Sequence, residues 1–159
     1  MRAMSLLRYH LLFLLALIVG WGWLPVSLVV GSASASSPEI TRVASPEDIP
    51  GTTKINAEDL VELMWASPQL TLIDSRIMSD RSKGFIEGSI SLPNTETSCE
   101  SLEGVIPDKS TPAMFYCNGV KCGRSAKAAQ IAIDCGYNQI YWFRGGIEEW
   151  KQKQLPLLK

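Results

Sequence analysis

Short apolar runs alternate along this chain with stretches in which apolar residues recur every three or four positions. Leu70 to Ile73, ending at Asp74, reads as a buried strand, and Ser89 to Leu92, stopped by Pro93, reads as a second. Ala113 to Tyr116 is a third, and Gln139 to Phe143, after the Gly136-Tyr137-Asn138 turn, is a fourth; a further short strand is expected near Lys54. Helical patterns fall between them. Asn56-Ala57-Glu58-Asp59 has the form of a capping sequence, and Leu60, Leu63 and Met64 share one face of a helix to about Ala66. Ser125 to Cys135 and Ile147 to Lys153 form two more. Strands alternating with helices predict an α/β fold, a single domain whose mainly parallel sheet of about five strands carries helices on both faces. Ligands of such sheets bind beyond the carboxyl ends of strands, where Asp74 and Cys117 fall.

The apolar pattern differs at the start of the chain. Leu11 to Val30 holds no charged residue, follows Arg2 and Arg8, and precedes the small-residue stretch Ser32 to Ser37. Residues 1–35 therefore read as a signal peptide with an A-x-A cleavage site, or as an N-terminal membrane anchor. Both readings predict an extracytoplasmic location, periplasmic or secreted, for the rest of the chain. Residues 36–52, rich in Ser, Pro, Glu and Gly, are expected to be a linker, and residues 53–159 the folded domain.

Composition narrows the chemistry. Loss of the leader takes Arg2 and Arg8 from the 15 basic residues and none of the 16 acidic ones, leaving a net charge of about −3, so nucleic acid is not an expected partner. It also removes His10, the only histidine. Without imidazole, Ser-His-Asp and Cys-His catalysis and His-ligated metal sites are excluded, and a nucleophile must be activated by its local field. The four cysteines are Cys99, Cys117, Cys122 and Cys135. In an oxidising compartment an even count points to disulfides, with three possible pairings. No spacing is C-x-x-C, which disfavours zinc, and no metal is assigned. Cys135, ending a helix, reads as buried filler; the polar stretch around Cys99 assigns it no role.

The run FYCNGVKCGRS, Phe115 to Ser125, concentrates the candidate chemistry. Cys117 ends an apolar strand, a helix comes after it, and the loop between supplies Lys121, Arg124 and two glycines. Amides at a helix start, with two cations, stabilise a thiolate or bind an anion. Gly119 and Gly123 read as positions where positive φ turns those amides inward.

With LIDSR, then Asp80, then GFIEGSISLP, FYCNGVKCGRSAKAA and GYNQIYWFRGGIEEW, the chain resembles a rhodanese sulfurtransferase domain from about Lys54 to Pro156. Phe85, Glu87 and Ser89 stand where that family's pattern has His, Pro and Ala. The resemblance implies that Cys117 accepts a sulfane sulfur from a small sulfur-containing anion such as thiosulfate. It then passes that sulfur, as a persulfide, to a thiol or persulfide acceptor, without a cofactor. Asn118, Gly119, Val120, Lys121, Cys122, Gly123, Arg124 and Ser125 would form the substrate-binding loop. Asp74, Arg76 and Asp80 would shape the pocket, or fix the loop after their strand by an ion pair. Trp142, Phe143 and Trp150 read as core, Gly145-Gly146 as the turn into the last helix, and Arg144 as a residue beside it that could face the pocket.

Six residues separate Cys117 from Arg124, two more than in the family's sulfurtransferases and one more than in its phosphatases. The wider loop could admit a bulkier anion or a protein persulfide. Cys122 could resolve the Cys117 persulfide by forming a disulfide, carry the sulfur itself, or silence Cys117 until reduced. A thiol-disulfide redox protein using Cys117 and Cys122, and a non-catalytic binding module, remain the alternatives to sulfur transfer. A phosphatase is disfavoured, for no evident acid stands ready to protonate a leaving group.

Overall fold

Five short strands carry the fold in the computed structural model, which describes residues 44–159. The segment read as signal peptide or anchor, and the first part of the linker, lie outside the described residues. Among the described residues no helix is long and apolar enough to cross a membrane. The strands are β1 (Thr52–Ile55), β2 (Thr71–Asp74), β3 (Ile90–Ser91), β4 (Ala113–Tyr116) and β5 (Ile140–Phe143). They pair in the order β1-β5-β4-β2-β3, every neighbour parallel. Registers bring their carboxyl ends level: Asp74 lies beside Tyr116 and Ser91, and Phe143 beside Tyr116 and Ile55.

Strand β4 is central and buried throughout, and its residues alternate between two cores. Ala113 and Phe115 meet Trp142, Ile73 and the alanine face of α4 (Arg124–Asp134). Met114 and Tyr116 belong to the other face, with Leu60 of α1 (Ala57–Ala66) and Ile147 and Trp150 of α5 (Gly146–Gln152). The two-sided sheet predicted from the pattern is thus present. The cap of α1 is reciprocal: Asn56 Oδ1 accepts from Asp59 N at 2.9 Å, and Asp59 Oδ2 from Asn56 N at 3.1 Å. On the opposite side, Trp142 Nε1 donates to Ser125 Oγ at 3.1 Å, tying β5 to the first turn of α4.

Several features differ from the sequence expectation. Two short helices, α2 (Met78–Arg81) and α3 (Cys99–Glu103), are too brief to show a helical period. Cys135, read as filler, forms a disulfide with Cys99 that ties the start of α3 to the end of α4. The end of the expected linker belongs to the domain. Ile49 is buried in the α4-side core, Arg144 Nη2 donates to Glu47 Oε1 at 2.6 Å, and Arg144 Nε donates to the Pro46 carbonyl at 2.7 Å. One apolar residue among polar neighbours carries no periodicity to read.

Candidate functional site

Cys117 is the first residue past the carboxyl end of β4, and at 1% exposure it is buried. Its carbonyl accepts from Ile147 N at 3.0 Å, and the carbonyl of Asn118 from Glu148 N at 2.7 Å, so the first turn of α5 pins the start of the loop. This close approach explains Gly146, which sits at φ +53° and on which a Cβ would overlap the Cys117 carbonyl. A turn closed by Cys122 N donating to Gly119 O at 2.9 Å folds the loop back, and Cys122 is joined to Cys117 by a disulfide.

The expected positive φ at Gly119 and Gly123 is not found; Gly123 has φ −79° as the N-cap of α4. Gly119 is needed for a different reason: a side chain there would run into the Glu148 carboxylate. The amides of Gly119, Val120, Lys121 and Gly123 find no acceptor among the described residues, and α4 begins without a side-chain cap. The loop and helix start therefore keep donors in reserve for an anion.

A cleft of about 730 Å³ opens over this loop, lined by Asn118, Lys121, Cys122, Gly123 and Arg124 with Asp80, Asn94 and Lys127 around them. Asp80 organises it. Its Oδ2 accepts from Arg124 Nη2 at 2.6 Å and from Asn118 Nδ2 at 2.9 Å, while Lys83 Nζ lies 3.6 Å from Oδ1. The Arg124 hydrogen bond, aided by Asn118 and opposed by partial burial, holds the Asp80 carboxyl below the usual carboxylate range. Arg124 Nε in turn donates to Cys122 Sγ at 3.2 Å, which joins the carboxylate, the guanidinium and the loop sulfur in one chain.

Not all the predicted loop residues reach this cleft. Val120 is exposed on the outer corner of the turn, over a smaller depression shared with Lys54, Arg144 and Glu149. Arg144 itself is committed to the Pro46 and Glu47 segment. Ser125 is buried, and its hydroxyl is taken by Trp142, because the first turn of α4 already packs on the sheet. Gly119 is buried beneath Glu148.

Asp74 and Arg76 do not line the cleft. Asp74 is fully buried and accepts from Arg76 Nε at 2.9 Å and Nη2 at 2.7 Å, from Arg81 Nη1 at 2.8 Å and from the Tyr116 hydroxyl at 2.9 Å. Arg76 also donates to the carbonyls of Asp80 and Gly84, which shapes the backbone presenting the Asp80 side chain. Burial, and then the Asp74 charge, push the Tyr116 phenol up to about 12. Sequence reasoning missed Arg81, which also donates to Ser89 Oγ and O and stacks over Phe85 with its guanidinium carbon 3.9 Å from the ring centroid. Its only sequence signal was a basic residue next to Asp80.

Known proteins share this architecture. Residues 56–153 match the family model described as rhodanese-like domain. The chain is 28% identical over 123 residues to a tRNA uridine(34) hydroxylase of Picosynechococcus, covering 72% of this chain and 40% of that protein's length. It is 27% identical over 105 residues to a sulfurtransferase of Allochromatium vinosum, covering 66% of this chain and 94% of that protein. Among solved structures, the polysulfide-sulfur transferase homodimer of Wolinella succinogenes superposes with a TM-score of 0.56 at 23% identity, over 68% of this chain and 79% of that one.

Proposed function

Because the chain belongs to the rhodanese-like domain family, we propose that it is a sulfurtransferase whose nucleophile is Cys117, active once the Cys117–Cys122 disulfide is reduced. The observation that carries this reading is the position of the Cys117 sulfur. It follows the carboxyl end of the central strand and is bonded to Cys122, which lines the cleft with Lys121 and Arg124, in a loop whose amides are unpartnered and which leads into the uncapped start of α4. Those groups stabilise a thiolate and bind an anionic donor. The Cys117 thiolate attacks the outer sulfur of a donor such as thiosulfate. A sulfur–sulfur bond forms at Cys117 Sγ, the donor's bond breaks, and sulfite leaves with the electron pair. The persulfide left behind is anionic, and the same amides hold it until a thiol acceptor arrives. Arg124 is kept in place by Asp80, whose own position depends on the backbone that Arg76 holds. Two disulfides in one small domain support an extracytoplasmic, oxidising location.

The test is direct. Thiosulfate added to the reduced chain should release sulfite and, on rapid quenching, add about 32 Da to the Cys117 peptide before any loop disulfide closes, and Cys117→Ser should abolish both. Label on Cys122 instead would refute the choice of nucleophile. A thiol-disulfide redox role is favoured by one observation, the bond between Cys117 and Cys122. That reading prevails if no sulfur is taken up and the bond exchanges readily with a dithiol. Inertness in both assays would leave a binding module.

A further inference from the structure

Resting on the sulfurtransferase reading, the structure assigns Cys122 the role of a resolving residue. It attacks the persulfide on Cys117 and expels the transferred sulfur as hydrosulfide, so that the domain reduces sulfane sulfur as well as accepting it.

Geometry supplies the reach. The Cα atoms of Cys117 and Cys122 are 6.2 Å apart, held there by the Gly119–Cys122 turn and by the hydrogen bonds from α5 to the carbonyls of Cys117 and Asn118. The second sulfur therefore meets the first without unfolding the loop, within the range that a disulfide spans. Arg124 supplies activation: its Nε stands 3.2 Å from Cys122 Sγ, and a guanidinium at that distance favours the thiolate. Exposure divides the labour between the two sulfurs. Cys117 is buried, whereas Cys122 is part-exposed on the cleft wall.

Atoms and electrons balance in this step. The Cys122 thiolate attacks Cys117 Sγ, the Cys117–Cys122 bond forms, and the bond from Sγ to the terminal sulfur breaks. That sulfur departs with the electron pair and takes up the proton that the Cys122 thiol gave up on ionising, so it leaves as HS⁻. The two cysteines together lose two electrons, and the sulfane sulfur gains two. An external dithiol restores the starting state by attacking the accessible Cys122 sulfur. Cys117 then leaves as a thiolate into the waiting amides, and the dithiol's second sulfur frees Cys122.

A single-turnover experiment decides. The reduced chain, freed of reductant without air, is given stoichiometric thiosulfate; sulfite, hydrosulfide and the alkylatable thiols of the Cys117 and Cys122 peptides are then counted. The expected result is one sulfite and one hydrosulfide per chain, with both loop thiols lost to a Cys117–Cys122 disulfide. Cys122→Ser and Cys122→Ala should release sulfite but stop at the persulfide, with hydrosulfide reduced roughly tenfold or more. A wild-type chain that keeps a stable persulfide on Cys117 while Cys122 stays alkylatable overturns the proposal, whatever the variants do. Absence of sulfite release refutes the sulfurtransferase reading itself, and the resolving role with it.

Discussion

Asp74 holds one carboxylate against two guanidiniums and a phenol in a place water does not reach. Removing a buried partner strands the others, so Asp74→Asn should cost about 3–5 kcal/mol in urea unfolding with the disulfides intact. Asp80→Asn breaks a pair whose side chains are 22% and 25% exposed, and should cost about 1 kcal/mol or less. On the proposed function its effect falls on Arg124 and on the rate of sulfur uptake. Tyr116 gives the network a signature in pH. Its folded value of about 12 lies above the unfolded value of ~10, so its contribution is whole below pH ~10 and is lost as pH rises toward 12. Tyrosinate absorbance should show one late-titrating phenol that is absent in Tyr116→Phe, and the variant should lose the steep alkaline limb of the stability curve. The spacing of Asp74 and Arg76 made an ion pair legible in the sequence. Nothing there could reveal that Arg81 shares the same oxygen, since that depends on how α2 turns back over β3.

The two disulfides differ in what they constrain. Cys99–Cys135 closes 36 residues, and loop-closure entropy puts its contribution at about 4 kcal/mol, whereas Cys117–Cys122 closes five and gains only about 2. Cys99→Ser with Cys135→Ser should therefore lower the unfolding free energy by about 4 kcal/mol while the reduced protein still takes up sulfur. The bond between α3 and α4 contributes mainly to stability; on the proposed function the loop bond serves the chemistry. Gly146 at the start of α5 ties an element directly to the site. Gly146→Ala combines left-handed strain with an overlap on the Cys117 carbonyl, and should cost about 3 kcal/mol. Sulfur uptake should also fall by roughly a hundredfold, because the nucleophile is displaced. β4, apolar along its whole length, and the eleven-residue α4 were legible to within a residue. The four residues of α2 and five of α3 were not, for fewer than two turns cannot establish a period.

The parallel order β1-β5-β4-β2-β3 sets the central strand between neighbours whose connections leave in opposite directions, and the cleft opens where they part. Alternating strands and helices were enough to predict that architecture and to put Cys117 at its carboxyl edge. What escaped the sequence were contacts between distant segments. The cysteine pairing, the docking of residues 45–51, and Glu148 as the reason for Gly119 all depend on positions brought together only by folding. The hydrogen bond from Trp142 to Ser125 is another such contact, and it gives the molecule an optical use. A buried indole bonded to the first turn of α4, just past the reactive loop, is a built-in fluorophore. Its emission should shift when the Cys117–Cys122 bond opens and move back when it closes. Single turnovers could then be tracked in real time by stopped flow, with no dye attached.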